Sequence, residues 1–265
     1  MLLNNKGNPV IALYNISLER EGVRILDNID WRVFPGEHWA IIGQNSAGKT
    51  LLLKIISTYL WPSEGRVEIL GEEFGKIELH KLRQNIGWVS SALEQDLPMD
   101  QPVLDIVLSG YFSTLRLFSK PPKRIIQRAK KILHLLGLND HERQSFVTLS
   151  VGEKKKVLIA RAILKKPRIL ILDEVCAGLD PLARKQYLNS LRNLILKEKD
   201  ISVLFVTHHL EEIFPEITHV LGLNEGRVIF AGRKGDVLTS ENIIALFDEK
   251  IKIRKENQNY SLDVF

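Results

Sequence analysis

The sequence predicts an α/β fold with a mostly parallel sheet, an N-terminal antiparallel β subdomain and an inserted α-helical subdomain. Continuous apolar runs at 168–172 and 201–206 are typical of strands buried on both faces of a parallel sheet. Short alternating segments separated by turn residues, within 9–34, predict antiparallel strands. Strand signals nearly vanish within 92–148, where apolar residues recur at helical spacing.

Composition narrows the class of protein. The chain of 265 residues is long enough for one large domain or two smaller lobes, and no uninterrupted apolar run approaches the roughly 18–20 residues of a membrane-spanning helix. A single cysteine, Cys176, excludes an internal disulfide and fits a reducing compartment. The net charge of +5, without a block of like charges, indicates an ordinary solvated surface.

One stretch fits the phosphate-binding loop pattern G-x-x-x-x-G-K-[ST] at every fixed position. An apolar strand precedes it and a helix former follows it, as the motif requires. Lys49 is expected to reach the β- and γ-phosphates of a nucleotide, and the Thr50 hydroxyl to ligate Mg²⁺. The sequence therefore predicts a P-loop NTPase core with ATP and Mg²⁺ as cofactors. The expected ATP-binding residues of this loop are Gly43, Gln44, Asn45, Ser46, Ala47, Gly48, Lys49 and Thr50.

A second element is the apolar run that ends in Asp173 and Glu174. In open α/β folds ligands bind at the carboxyl edge of the sheet, which is where such a strand delivers its last residues. Asp173 is expected to hold Mg²⁺ through water, opposite Thr50. Glu174, one residue on, is expected to polarise the water that attacks the γ-phosphorus.

The order of these motifs resembles the ATP-binding cassette (ABC) family. The segment 149–153 (Leu-Ser-Val-Gly-Glu) resembles the family signature Leu-Ser-Gly-Gly-Gln and lies about 20 residues before Asp173. The segment 177–180 resembles the D-loop, and His208, after a strand and a threonine, resembles the switch histidine. The resemblance extends from the first strands to about residue 240, and within it bacterial importers are the most similar group.

The resemblance implies a mechanism shared between two chains. Two cassettes face each other head to tail, and the signature of one closes over the γ-phosphate bound by the other. Glu174, His208 and Lys49 would be the catalytic residues, and Asp180 would couple the two sites. The signature residues acting in trans would be Ser150, Val151, Gly152 and Glu153.

Four positions depart from the family pattern. Arg20 stands where the family has an aromatic residue that stacks on adenine, and a guanidinium plane can also stack on a base. Tyr14 is a less favoured substitute. Ser91 aligns with the glutamine of the Q-loop and would meet Mg²⁺ or water with a shorter side chain. In the signature, Val151 replaces a glycine and Glu153 replaces the glutamine.

The predicted domain organisation is a single ATPase domain at 1–240, followed by a C-terminal helix and tail at 241–265. Within the domain, 1–90 and 149–240 would form the RecA-like core with its β subdomain, and 91–148 the helical subdomain. The polar residues 250–265 are expected to fray.

The leading hypothesis for function is the ATP-hydrolysing subunit of a membrane transporter, powering solute movement through a separate integral membrane permease. A second ABC subunit, expected to be an identical chain, would complete the site, and a solute-binding protein would accompany an importer. Such a subunit would be cytoplasmic, on the inner face of the membrane, and a nucleic acid partner is not expected. The alternatives are a soluble ABC-type ATPase acting on ribosomes or nucleic acid and a small-molecule kinase.

Overall fold

The chain folds as two compact units, one formed by 1–86 and 202–265 and the other by 87–201. The computed structural model describes residues 7–198, 200–248, 251–256 and 259–264. In these ranges no helix combines the length and the apolar character needed to cross a membrane. The second unit contains the predicted helical segment 91–148 together with 149–201.

In chain order, the described strands are β1 (Ile11–Arg20), β2 (Val23–Val33), β3 (His38–Ile42), β4 (Glu64–Ile69), β5 (Glu72–Glu73), β6 (Ile86–Ser90), β7 (Ile169–Asp173), β8 (Ser202–Val206), β9 (His219–Asn224), β10 (Arg227–Arg233), β11 (Ile251–Glu256) and β12 (Asn259–Val264). The α-helices are α1 (Lys49–Ile56), α2 (Leu79–Arg83), α3 (Ser91–Asp96), α4 (Val103–Phe112), α5 (Lys123–Leu135), α6 (Val151–Ile163), α7 (Pro181–Lys197), α8 (Lys234–Val237) and α9 (Ser240–Phe247). Short 3-10 helices cover Asn139–His141, Phe146–Thr148 and Leu210–Glu212.

The first unit contains an antiparallel sheet with the strand order β2-β1-β4-β5. Ile11 of β1 pairs with Val33 of β2 on one side and with Ile69 of β4 on the other. A register shift between Leu13 and Ile16 interrupts the regular pairing within β1. The predicted N-terminal antiparallel β subdomain is confirmed.

A parallel arrangement surrounds β3, which lies between β8 and β9 and runs in the same direction as both. Ile41 of β3 pairs with Val206 of β8, and Ile42 pairs with Gly222 of β9. The amide of Thr207 donates to the carbonyl oxygen of Ile41 over 3.2 Å, which extends the pairing past the end of β8. The residues that follow β3, β8 and β9 therefore meet at one edge of the sheet.

The second unit is mainly helical, with β6 and β7 side by side. Helices α4, α5 and α6 pack against one another, and α7 packs on α5 and α6. Their shared core includes the fully buried Ile106, Ala129 and Phe146. α5 begins directly after Pro122, which supplies the fixed backbone angle of a helix start. The predicted helical character of 91–148 is confirmed.

The prediction that 250–265 frays is wrong for the described residues. β11 and β12 form an antiparallel hairpin in which Ile251 pairs with Val264 and Glu256 pairs with Asn259. The sequence carries the reason, because apolar residues alternate at 251 and 253 and again at 262 and 264. The high content of charged residues in this segment makes the alternation of apolar residues hard to detect.

Candidate functional site

The phosphate loop joins β3 to α1, and two glycines determine its path. A Cβ atom at Gly43 would lie 2.0 Å from the carbonyl oxygen of Leu223. Gly48 precedes α1 with a φ of 97°, and a Cβ atom there would lie 2.6 Å from Cδ2 of Leu26. Gly43 is required because its Cβ atom would overlap a backbone oxygen, and Gly48 because residues with a side chain rarely adopt its φ of 97°.

Lys49, the first residue of α1, lies inside the loop with only 6% of its surface exposed. Its Nζ donates hydrogen bonds to the carbonyl oxygens of Gly43 and Gln44, each at 2.8 Å. These bonds hold a positive charge at a helix N-terminus, where the backbone amides already favour an anion. Thr50 is exposed beside it. This donor set fits a polyphosphate with a bound magnesium ion.

His208 follows β8 at the edge of the sheet where the phosphate loop follows β3. The preceding Thr207 is buried, and its hydroxyl oxygen accepts a hydrogen bond from the amide of His209 over 3.0 Å. That hydroxyl also donates to the Glu212 carboxylate over 2.5 Å. The rings of His208 and His209 lie 4.0 Å apart between centroids. These contacts fix the turn, so the first unit brings the loop and His208 to one edge.

Asp173 and Glu174 lie in the second unit, at the end of the fully buried run of β7. Glu174 has a φ of 49°, in the left-handed region that a side-chain-bearing residue enters at a cost of about 1–3 kcal/mol. Strain of this kind is concentrated at functional positions, and here it turns the chain sharply after Asp173. The carbonyl oxygen of Glu174 accepts from the amide of Ala177 and closes the turn.

Asp180 ends that turn and caps α7. Its Oδ1 accepts hydrogen bonds from the amides of Leu182 and Ala183, both at 2.9 Å, and Pro181 occupies the first helical position. A carboxylate is favourable at this helix end because the amides carry positive partial charge. The carboxylate predicted to couple two sites is therefore held rigidly at the start of α7.

The signature segment occupies the start of α6, where Ser150 and Glu153 form a reciprocal cap. Glu153 Oε2 accepts from the Ser150 amide over 2.9 Å and from the Ser150 hydroxyl over 2.7 Å. The Ser150 hydroxyl is the main reason why the pKa of Glu153 lies below its usual range. Val151 is 50% exposed. A cavity of about 310 Å³ opens here, lined by 150–153, Lys156, 178–180, Ala183, Gln186 and Tyr187.

Comparison with known proteins shows which family the chain is similar to. A family model described as ABC transporter matches residues 26–177. The chain is 41% identical over 245 residues to the ABC transporter ATP-binding protein YlmA of Bacillus subtilis (strain 168), covering 92% of this chain and 93% of YlmA. It is 34% identical over 230 residues to the phosphonates import ATP-binding protein PhnC of Pseudomonas putida, covering 84% of each. The structure of cbiO1 from Clostridium perfringens, part of the ABC transporter complex cbiONQ, matches with a TM-score of 0.77 and 27% identity, covering 90% of this chain and 94% of cbiO1.

This chain belongs to the ABC transporter family. It is an ATP-binding subunit of the kind that hydrolyses ATP in transporters. The resemblance drawn from the order of the motifs and the predicted α/β fold are both confirmed.

One departure from the ABC pattern concerns the expected adenine contact. Arg20, the last residue of β1, is exposed and pairs with Val23 across the hairpin. The ring of Tyr14 lies 4.3 Å from the guanidinium carbon of Arg66 and 5.2 Å from that of Arg32. Because two arginines already contact its ring, Tyr14 is a poor platform for a base, and Arg20 stays the better candidate.

A second departure, Ser91, is the first residue of α3. The Ser91 side chain lies outside the part of the structure that can be described. Ser90 caps this helix, accepting from the amide of Leu93 over 3.4 Å. Gln95, further along α3, is exposed.

Two contacts at the site could not be read from the motifs. His141 Nε2 lies 3.2 Å from Glu153 Oε1, on the far side of the carboxylate from Ser150. Gln44, in the phosphate loop, donates from Nε2 to the carbonyl oxygen of Phe247 over 2.8 Å. Both join residues on different elements, so sequence spacing carries no signal for either.

Proposed function

We propose that this chain powers solute transport through a separate membrane permease, by ATP-dependent head-to-tail dimerisation with a second ABC subunit. The observation that carries the proposal is the phosphate loop, with the buried ammonium of Lys49 held at the start of α1. A dedicated polyphosphate site of this geometry, in a chain of this family, serves ATP turnover rather than stability alone.

The proposed role of each residue is the one that its motif has in the ABC family. The loop from Gly43 to Thr50 holds the phosphates, and Lys49 neutralises the β- and γ-phosphates. Thr50 and Asp173, with Ser91, would hold Mg²⁺, which supplies charge neutralisation on the phosphates when it is bound. Glu174 orients the attacking water as general base, and Arg20 contacts the base.

His208 is proposed to contact the γ-phosphate. The proposal is supported by the position of His208 after β8, at the same edge of the sheet as the loop that follows β3. A donor held at that point stabilises the charge that develops on the transferred group.

The proposed dimer uses the signature in trans. Ser150, Gly152 and the start of α6 would donate to the γ-phosphate bound by the other subunit, and Asp180 would transmit closure. Exposed apolar side chains flank this cavity, with Val151 50% exposed and Leu182 66% exposed. Exposed apolar residues beside a polar recess are typical of a surface that a second chain covers.

The permease is proposed to dock on the helical part of the second unit. Leu97, Pro98, Leu115 and Phe118 contribute to a largely apolar groove of about 540 Å³. Phe118 is 80% exposed. A cytoplasmic helix of a permease fits this chemistry, and it would hold the chain at the inner face of the membrane.

Import is the proposed direction. PhnC, which is 34% identical to this chain, is named for phosphonate import. A solute-binding protein would then deliver the cargo to the permease.

The test uses purified full-length protein. Lys49→Ala is expected to reduce ATP turnover by at least about a hundredfold, and Glu174→Gln to bind Mg-ATP, turn over slowly and accumulate as a dimer in light scattering. A Glu174→Gln protein that stays monomeric with Mg-ATP yet hydrolyses normally would refute the proposal. Salt-sensitive binding of RNA, without co-purification of a membrane protein from detergent, would favour the ribosome or nucleic acid alternative.

A further inference from the structure

The hydroxyl that the signature would offer to a phosphate is already engaged within its own chain. Ser150 donates that hydroxyl to Glu153 Oε2 over 2.7 Å, and its amide donates to the same oxygen over 2.9 Å. The other carboxylate oxygen, Oε1, lies 3.2 Å from His141 Nε2. Glu153 is therefore held from both sides, and its charge lies beside the lining of the signature cavity.

A γ-phosphate entering this cavity meets two obstacles. A hydroxyl has one proton, so Ser150 cannot donate to the phosphate while it donates to Glu153. The Glu153 carboxylate and the phosphate are also both anionic, and like charges a few ångströms apart repel. Lys156 lines the same cavity and offsets part of this repulsion, and it also lowers the pKa of Glu153.

The helix cap does not itself require this charge. A glutamine at the third helical position accepts the same hydrogen bonds through its amide oxygen and closes the same reciprocal cap. What glutamate adds is a full negative charge and a stronger hold on the Ser150 hydroxyl, since hydrogen bonds to ionised acceptors are shorter and stronger. The effect of Glu153 is thus felt in phosphate binding more than in folding.

We propose that Glu153, anchored by His141, is a positioning residue that withholds the Ser150 hydroxyl from ATP until a second subunit closes over it. Closure then exchanges the bond between Ser150 and Glu153 for one between Ser150 and the γ-phosphate. Because the bond between Ser150 and Glu153 must break first, a higher ATP concentration is needed for dimerisation. The inference rests on the proposed function, because it assumes that the signature meets ATP in trans.

The experiment measures ATP-driven dimerisation of full-length protein by light scattering in a Glu174→Gln background, with and without Glu153→Gln. We expect Glu153→Gln to lower the ATP concentration for half-maximal dimer about tenfold at about 50 mM salt. Screening at about 500 mM salt should reduce this difference to about threefold or less. A purely structural role of Glu153 would not give a salt-dependent difference.

The matched control is Glu142→Gln, which removes one negative charge from a carboxylate that pairs with Lys130 and does not line the cavity. It should leave the half-maximal ATP concentration within about twofold of the parent. His141→Ala, which releases Glu153 Oε1, should lower that concentration, though less than Glu153→Gln does.

An unchanged or higher half-maximal concentration in Glu153→Gln overturns the inference about Glu153, and the same result in His141→Ala overturns the anchoring role. If the Glu174→Gln parent itself never dimerises with Mg-ATP, the proposed function fails first. The behaviour of the Glu174→Gln parent with Mg-ATP therefore distinguishes failure of the proposed function from failure of the inference about Glu153.

Discussion

Gln44 and Phe247 join the phosphate loop to the C-terminal helix. Nε2 of Gln44 donates to the carbonyl oxygen of Phe247, the last residue of α9, over 2.8 Å. The final carbonyl groups of a helix have no partner within the helix, so this bond satisfies one of them. Asp248 follows with a φ of 53°, which ends α9 directly against the loop.

Replacement of this glutamine should loosen α9 without removing the phosphate site. Gln44→Ala is expected to speed amide exchange in the last turn of α9 about fivefold, consistent with the loss of one hydrogen bond of about 1 kcal/mol. ATP affinity should change less than about twofold, because backbone amides and Lys49 hold the phosphates. Asn45→Ala, at the next position, which is also exposed, is the control. An unchanged rate of amide exchange in α9 would show that the hydrogen bond between Gln44 and Phe247 does not stabilise this helix.

Adenine binding should respond to Arg20. An exposed guanidinium is well hydrated and gives up part of that hydration when it stacks, whereas an aromatic ring does not. Arg20→Tyr is therefore expected to lower the dissociation constant for ATP about fivefold, measured by calorimetry. Binding of inorganic tripolyphosphate, which has no base, should not change. An equal gain for tripolyphosphate would show that Arg20 acts through charge and not through stacking.

Tyr187 is a fully buried side chain of α7 whose hydroxyl is unsatisfied. Among the described residues it has no hydrogen-bond partner for Oη, and its surface is fully buried. Burial, followed by the charge of Cys176, raises the pKa of Tyr187 well above its usual value. A raised pKa means that the folded state is favoured below about pH 10 and loses stability above it.

Tyr187→Phe should therefore raise the free energy of unfolding at pH 7 by about 1 kcal/mol, because it removes a buried polar group that makes no bond. It should also weaken the loss of stability above about pH 10. Urea unfolding at both pH values measures each effect. Tyr59→Phe, at a side chain 63% exposed, is the control. Destabilisation of Tyr187→Phe by more than about 1 kcal/mol would contradict this account.

The phosphate loop and the strand before Asp173 could be predicted because their residues are close in sequence and follow clear local patterns. The loop with its flanking strand and helix and the buried run before Asp173 both depend on neighbours within a few positions. The fold class followed from the alternation of such segments.

The remaining features depend on contacts between distant elements, which no local pattern encodes. His141 reaches Glu153 from a separate 3-10 helix, and Gln44 reaches Phe247 across 203 positions. Phe118 is apolar but exposed, and a propensity argument assigns such a residue to the core. The hairpin of β11 and β12 was concealed by its charged residues.

The pH dependence of stability at the signature should have a definite sign. The Ser150 hydroxyl is the main cause of the lowered pKa of Glu153, followed among the lowering causes by the Ser150 amide and the charges of His141 and Lys156. A carboxylate whose pKa is lower in the folded state stabilises that state above its ordinary pKa of about 4.5, and the contribution is lost as the pH falls through the folded value. At pH 7 the wild type should therefore unfold at a higher urea concentration than Glu153→Gln. This difference in urea midpoint should disappear by about pH 3. A difference in urea midpoint that stays constant at all pH values would mean that the carboxylate charge contributes nothing to the cap. Dimerisation of the same variant at a lower ATP concentration would show that the charge that stabilises α6 also opposes closure over the phosphate.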